Sequence, residues 1–235
     1  MENMPVTSVL IGINGLVFVL MVLTGASISL PDNQQLLKWG ADWGPYTLTS
    51  QPWRILTSNY VHIGIIHIAL NMWCLWNLGA LAERIFDRWT YALTYTACGI
   101  AGSLVGLWWH PMTVEAGASG AIFGIAGVLI AALYLGRLPV PPSAIKATLK
   151  SLLSFAGYNL FFGAVVPGIS NAAHLGGLIT GLGLGAVLAP RLTAPPDERN
   201  SWRRLVFLVA GVLLFALFYF VRRAVLHAAP GAEGP

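Results

Sequence analysis

Hydrophobic positions along the chain fall into long blocks separated by short polar connections. A helix needs about 20 mostly apolar residues to cross a bilayer. Runs of about that length lie at Val6–Ala26, Asn59–Leu81, Trp89–Trp109, Gly117–Gly136, Lys150–Val166, Ser170–Pro190 and Leu205–Val221. The fifth and sixth share one uncharged stretch from Ser151 to Pro190, long enough for two spans, and Pro167-Gly168 supplies the break between them. The pattern predicts an all-α polytopic membrane protein with seven transmembrane helices. Residues 1–190 form a six-helix core, and residues 191–235 form a linker, a seventh helix and a short disordered tail from His227.

Two connections are more than simple turns. The segment from Ser27 to Gln51 is a long loop with Trp39, Trp43 and Tyr46, followed by Trp53. Aromatic side chains of this kind settle at headgroup level, so a partly folded element at the interface is expected. Pro139 to Ser143 reads as a proline-rich spacer.

Composition sharpens the class. The chain is 56% hydrophobic and 9% charged, where a soluble domain carries roughly 25% charged residues. The basic excess, with no Lys/Arg-rich run, reports topology and not nucleic-acid binding. Cys74 and Cys98 both lie in apolar runs and read as buried free thiols. Residues 1–5 lack a positive n-region, so the first apolar stretch is expected to stay as a span and not be cleaved as a signal peptide.

Connections alternate between the two sides of the membrane. One side collects Arg84, Arg88, Arg137, Lys146, Lys150, Arg191, Arg199, Arg203 and Arg204, and the other Lys38, Arg54, Arg222 and Arg223. Nine cations against four place the N-terminus in the cytoplasm, although Arg222-Arg223 pulls the other way for the last span. Spans two, four and six then begin at the external leaflet. Ser119 opens span four, and His174 lies about one turn into span six, roughly 6 Å at 1.5 Å per residue. A nucleophile and a base therefore share one shallow depth. Gly177, Gly181 and Gly185 on span six, and Gly120, Gly124 and Gly127 on span four, are small-residue stripes that let helix backbones approach. Such stripes are common packing devices and carry no function by themselves.

His67 and Asn71, four residues apart on span two, share a face that must turn inward, because polar side chains facing lipid are expensive. Interhelical hydrogen bonding is the commoner role for either residue alone. Peptide hydrolysis needs a base for the serine and preorganised donors for the oxyanion. His174 fits the first need. The first-turn N–H groups at Ser119, with Asn71 and His67, fit the second. Gly117 and Gly120 let a substrate backbone come close. No Asp or Glu lies within a span, so a Ser-His dyad is the economical reading, with the imidazole oriented by packing against Phe123, one turn after Ser119. A zinc-protease His-Glu-x-x-His motif and a pair of membrane aspartates are both missing from the sequence, and no metal or cofactor is called for.

These residues together resemble the rhomboid family of intramembrane serine proteases. Gly117-x-Ser119-Gly120 resembles its nucleophile motif, and Ala173-His174-x-x-Gly177 its base motif. His67-x-x-x-Asn71, preceded by His62, resembles its second-helix signature. Trp53-Arg54 and Glu83-Arg84 resemble two further pairs. The resemblance implies a six-helix core with a Ser119–His174 dyad and an oxyanion site from the Ser119 N–H, Asn71 and His67. It implies single-span membrane proteins as substrates, cut near the external leaflet after a small residue, with the lipid bilayer as the other partner. The seventh span resembles the subgroup with a C-terminal addition, and a bacterial inner membrane is the expected location. Phe123 stands where some members have tyrosine. Two other readings compete: a non-catalytic membrane-protein binder, and a small-solute transporter, against which the uncharged spans argue. His62, His110 and His227 read as interfacial or loop residues, with His62 lining water access. Trp53 and Arg54 read as anchors of the external loop.

Overall fold

The computed structural model describes residues 4–228. Its helices, in chain order, are α1 (Pro5–Leu23), the short α2 (Asn33–Lys38), α3 (Gly44–Thr47) and α4 (Arg54–Thr57), then α5 (Ile65–Ile85), α6 (Arg88–Trp109), α7 (Ser119–Leu135), α8 (Pro142–Val165), α9 (Asn171–Leu188) and α10 (Pro196–Ala228). Single 3-10 turns at Ser58–Tyr60 and Ala189–Arg191 complete the set. The molecule is an all-helical multi-pass membrane protein. Helices α1, α5, α9 with its 3-10 extension, and α10 are long and apolar enough to cross a bilayer. α6 and α8, at 22 and 24 residues, have the length, and α6 turns Thr90, Thr94 and Ser103 inward.

α7 is the centre of the bundle. Thirteen of its 17 residues are buried, which is why it has no polar face. Ile122, Ile125 and Leu129 pack against Leu75 and Ala82 of α5 and Tyr91 and Tyr95 of α6. By contrast only Leu152 and Ala156 of α8, and Val206 and Val221 of α10, are buried, so these two helices present apolar faces outward. At 1.5 Å per residue α7 is about 26 Å long, short of the roughly 30 Å hydrocarbon layer. Its first residue is Ser119. The loop chain covers that end. Asp42 and Glu115 exchange two backbone hydrogen bonds of 2.8 and 2.9 Å, and the Gly44 N–H donates to the Pro111 carbonyl at 2.9 Å.

The long loop is partly folded, as its aromatics imply, but it extends further than the hydropathy pattern indicates. The second span begins at Ile65 and not Asn59. Gly64, with φ +84°, makes the turn into the helix, and the Ile65 N–H donates to the Ile28 carbonyl. That helix runs on to Ile85, so Glu83 and Arg84 sit in its last turn. Glu83 earns the extension by accepting from the N–H groups of Val6 and Thr7 and from the Thr7 hydroxyl, which caps α1 across the bundle. The fifth span starts at Pro142, inside the expected spacer, because proline is tolerated in a first helical turn. The seventh starts at Pro196 and absorbs Asp197 and Glu198 into its first turn, where the helix dipole favours acids. At the other end Arg222 Nε donates to the Leu48 carbonyl, giving one of the discordant cations a partner in the loop region. His227 is helical and not part of a tail; the rest of the expected tail, residues 229–235, lies outside the described residues.

Candidate active site

The two glycine stripes meet. A Cβ on Gly177 would overlap the Gly120 carbonyl, and one on Gly181 would stand 2.8 Å from Gly124 Cα. A Cβ on Gly127 would lie 2.8 Å from the Leu182 nitrogen, and one on Gly185 2.9 Å from Val128 Cα. α7 and α9 thus touch backbone to backbone, and any side chain on these faces would force them apart. α6 joins them: a Cβ on Gly102 would sit 2.9 Å from the Ala173 carbonyl oxygen and 3.3 Å from Gly120 Cα. The residues beside Ser119 and His174 are therefore in contact.

His174 is buried, and its ring stacks on Phe123 at 4.1 Å between centroids and 11° between planes. Phe123 is held in turn by Phe155 at 5.5 Å. The His174 Nδ1 is buried with no hydrogen-bond partner among the described residues, so ring packing and not a carboxylate orients this imidazole there. Ser119 is half-buried at the first position of α7. The preceding Ala118 offers no side-chain cap, which leaves the first-turn N–H groups for another acceptor. No Ser119–His174 hydrogen bond is among those of the described residues. Hydrogen bonds between reacting groups are often long in unliganded sites and tighten around substrate.

His67 stands against the loop that leads to Ser119. A Cβ on Gly117 would be 2.7 Å from His67 Cε1 and 3.0 Å from Nε2, and Gly117 has φ +135°. Glycine is thus required there for both space and conformation. The Ile63 N–H donates to His67 Nδ1 at 3.2 Å. That bond makes Nδ1 the acceptor and puts the ring proton on Nε2, the nitrogen beside Gly117. Asn71 is buried on the same helix and gives one amide proton to the His67 carbonyl at 2.9 Å, leaving the second.

His62, read as an interfacial or loop residue, lies in the loop before α5 but is not at an interface. It is fully buried, 5.3 Å from the His67 ring, and its Nε2 takes a long 3.5 Å bond from the Ala118 N–H. The turn at Gly64 leaves it against the loop that leads to Ser119. Its place in the pattern ahead of His67 was the signal that it belongs to the site. Arg54 ties together the segment between α1 and α5. It donates to the carbonyls of Leu37 and Ala41 and to Gln51, beneath the face of Trp53.

A polar cluster behind the loop that leads to Ser119 had no signal in the sequence. Asp42 is buried and accepts from the Thr47 hydroxyl. Burial pushes its carboxyl up to about 7, with the Glu115 charge adding to the rise and the Thr47 hydroxyl opposing it. Burial also raises Glu115, against a hydrogen bond from Ser170. Ser170 caps α9 by accepting from the Ala173 N–H at 3.2 Å. Ser58 accepts from the Gly117 N–H at 2.9 Å, and its hydroxyl meets that of Ser103 at 3.1 Å. The loops that place Ser119 and His174 are thus tied together from behind.

The chain is similar to known proteins over most of its length. The rhomboid domain matches residues 49–191. The chain is 32% identical over 212 residues to the rhomboid protease GluP of Bacillus subtilis (strain 168), covering 90% of this chain and 40% of that protein. It is 35% identical over 196 residues to RHOMBOID-like protein 2 of Arabidopsis thaliana, covering 78% and 61%. Similarity to the rhomboid protease AarA of Providencia stuartii is 27% over 207 residues, covering 78% and 71%. The chain spans between a third and just over half of the length of the first relatives it matches.

Proposed function

The chain belongs to the rhomboid family, and on that premise we propose that it is an intramembrane serine endopeptidase working through a Ser119–His174 dyad. Ser119 Oγ attacks the scissile carbonyl carbon while His174 takes its proton. The oxyanion is held by the Ser119 N–H at the positive end of α7, by the second Asn71 amide proton and by His67 Nε2–H. The intermediate collapses, the peptide amine leaves with the proton from His174, and the acyl group stays on Ser119. Water then gives its proton to His174 and attacks the acyl carbon, which frees the carboxylate and restores the serine. Without a carboxylate partner, the imidazole is oriented by the Phe123 stack.

The substrates in this reading are single-span membrane proteins, cut near the external leaflet after a small residue. The catalytic unit is the six-helix core of residues 1–190, with residues 191–235 as an added helix and its linker. The N-terminus is cytoplasmic, in a bacterial inner membrane, with Ser119 toward the external leaflet. One observation carries the reading: His174 stacks on Phe123 one turn from Ser119, where α7 and α9 meet at glycine contacts.

With no Ser119–His174 hydrogen bond among the described residues, a second reading stays open, a non-catalytic binder of membrane proteins. Cleavage of a single-span substrate in proteoliposomes separates the two. Ser119→Ala and His174→Ala each abolish cleavage at unchanged melting temperature if the dyad is catalytic. Cleavage retained by Ser119→Ala sinks the mechanism, and no cleavage by the wild type across a panel of substrates supports the binder.

A further inference from the structure

At the end of the bundle opposite Ser119, a cavity of about 280 Å³ opens between the end of α5, the turn into α6, the end of α9 and the first turns of α10. Four arginines line it: Arg84, Arg191, Arg199 and Arg203. Ile85, Phe86, Leu188 and Leu192 form its apolar side.

Two of these arginines have acids beside them. Asp87 pairs with Arg203 and also caps α6 through Trp89 N–H, Thr90 N–H and the Thr90 hydroxyl, so both its oxygens are engaged. Glu198 approaches Arg191 at 3.9 Å, with both side chains about half exposed or more, a pair of little strength. Among the described residues no carboxylate pairs with Arg199. Arg191 lies over the Trp202 ring at 4.9 Å, and Trp202 is pinned by its indole N–H to the Val187 carbonyl. Arg199 gives one long bond of 3.4 Å to the Leu192 carbonyl, and its Nε is buried with no partner among the described residues. A buried charged donor without an acceptor is costly.

The position decides what kind of acceptor fits. The cavity lies where spanning helices end, at headgroup depth, beside an interfacial tryptophan. Half its wall is apolar, which suits glycerol and the first acyl carbons and does nothing for a free anion. Basic pockets between transmembrane helices are suited to anionic headgroups, and guanidinium groups to phosphate oxygens. We propose that this cavity binds the phosphodiester headgroup of an anionic phospholipid, with Arg191 and Arg199 as its main donors. The bound lipid bridges the end of α9 to the start of α10, a helix otherwise held to the core by few buried side chains. This inference is independent of catalysis.

Native mass spectrometry of the full, delipidated chain in detergent tests it. Cardiolipin and phosphatidylglycerol are titrated against phosphatidylcholine, with inorganic phosphate followed in parallel by thermal shift. The expected result is retention of both anionic lipids at least tenfold above phosphatidylcholine, with no stabilisation by millimolar phosphate. Arg191→Ala/Arg199→Ala should weaken the anionic lipids about 30-fold, the loss of two near-surface cations. Arg137→Ala, outside the cavity, should not. Equal retention of phosphatidylcholine overturns the proposal, as does full anionic-lipid binding by the double variant. Stabilisation by phosphate alone reassigns the cavity to a free anion and also overturns it. If the double variant does not fold, Arg199→Gln is read in its place, and the wild-type lipid selectivity stands as a test by itself.

Discussion

Substituting Gly181 by alanine tests whether backbone contact between α7 and α9 sets the geometry at Ser119 and His174. A Cβ there meets Gly124 Cα at 2.8 Å and its carbonyl carbon at 2.7 Å, where ordinary contact begins at 3.4 Å. The Gly124 carbonyl oxygen is closer still and all three atoms are backbone, so no rotamer change relieves the overlap, and the helices must part by more than about 0.7 Å. Overpacking of this kind costs about 1–3 kcal/mol, while alanine returns up to about 1 kcal/mol of helix propensity. The net expectation is a loss of roughly 1–2 kcal/mol. The effect on rate should be larger, because a misplacement near 1 Å can cost about 10²-fold. Gly183 lies two residues away on the same helix, and a Cβ there meets nothing within 4 Å. Gly183→Ala is the matched control and should be neutral or slightly stabilising. The assay is cleavage of a fluorogenic transmembrane substrate in proteoliposomes, beside thermal unfolding in detergent. Equal rates for Gly181→Ala and Gly183→Ala would refute the argument that this contact positions the dyad.

Removing the Phe123 ring should destabilise the protein by roughly 3 kcal/mol and lower kcat at least tenfold with KM little changed. Phe123→Tyr, which keeps the ring, should stay within a few-fold of wild type; equal kcat for Phe123→Ala and wild type would remove the stack from the mechanism. Asp42 supplies a pH prediction. Its carboxyl rises from 3.8 to about 7 on folding, so between those values the folded state holds a proton that the unfolded state has lost. The stability it contributes is complete below about pH 4 and is lost as pH climbs through 7, by on the order of 4 kcal/mol at about 1.4 kcal/mol per tenfold change in ionisation. Asp42→Asn should flatten the fall in melting temperature between pH 5 and 8, and an unchanged slope would clear Asp42 as its source.

The spans were legible because charge is excluded from long stretches of this chain, and each of the seven expected spans corresponds to a helix. The ends were less so. Hydropathy does not register that Gly64 turns the chain, that Pro142 fits a first helical turn, or that Glu83 caps a helix some 76 residues away. The site was readable where its residues sit on one face of one helix, as with Ser119 and Phe123 or His67 and Asn71. It was unreadable where two distant loops meet. The bridge from Asp42 to Glu115 joins segments about 70 residues apart that share no motif. His62 was visible as part of a pattern, yet its burial depends on the turn at Gly64, which a linear pattern does not express. The arginine cavity escaped notice for a similar reason: Arg84, Arg191 and Arg199 enter a charge count one by one and gain meaning only when α5, α9 and α10 end together.

The central claim is that Ser119 is a nucleophile activated by His174 alone. Labelling with a fluorophosphonate probe measures this directly, because the probe reacts with an activated serine and needs no knowledge of the substrate. Wild type, Ser119→Ala and His174→Ala are compared in the same detergent after equal melting temperatures are verified. The account predicts one labelled site in the wild type, mapped to Ser119 by peptide mass, and loss of labelling in both variants. Labelling that persists in Ser119→Ala, or a folded wild type that the probe does not touch, would contradict it.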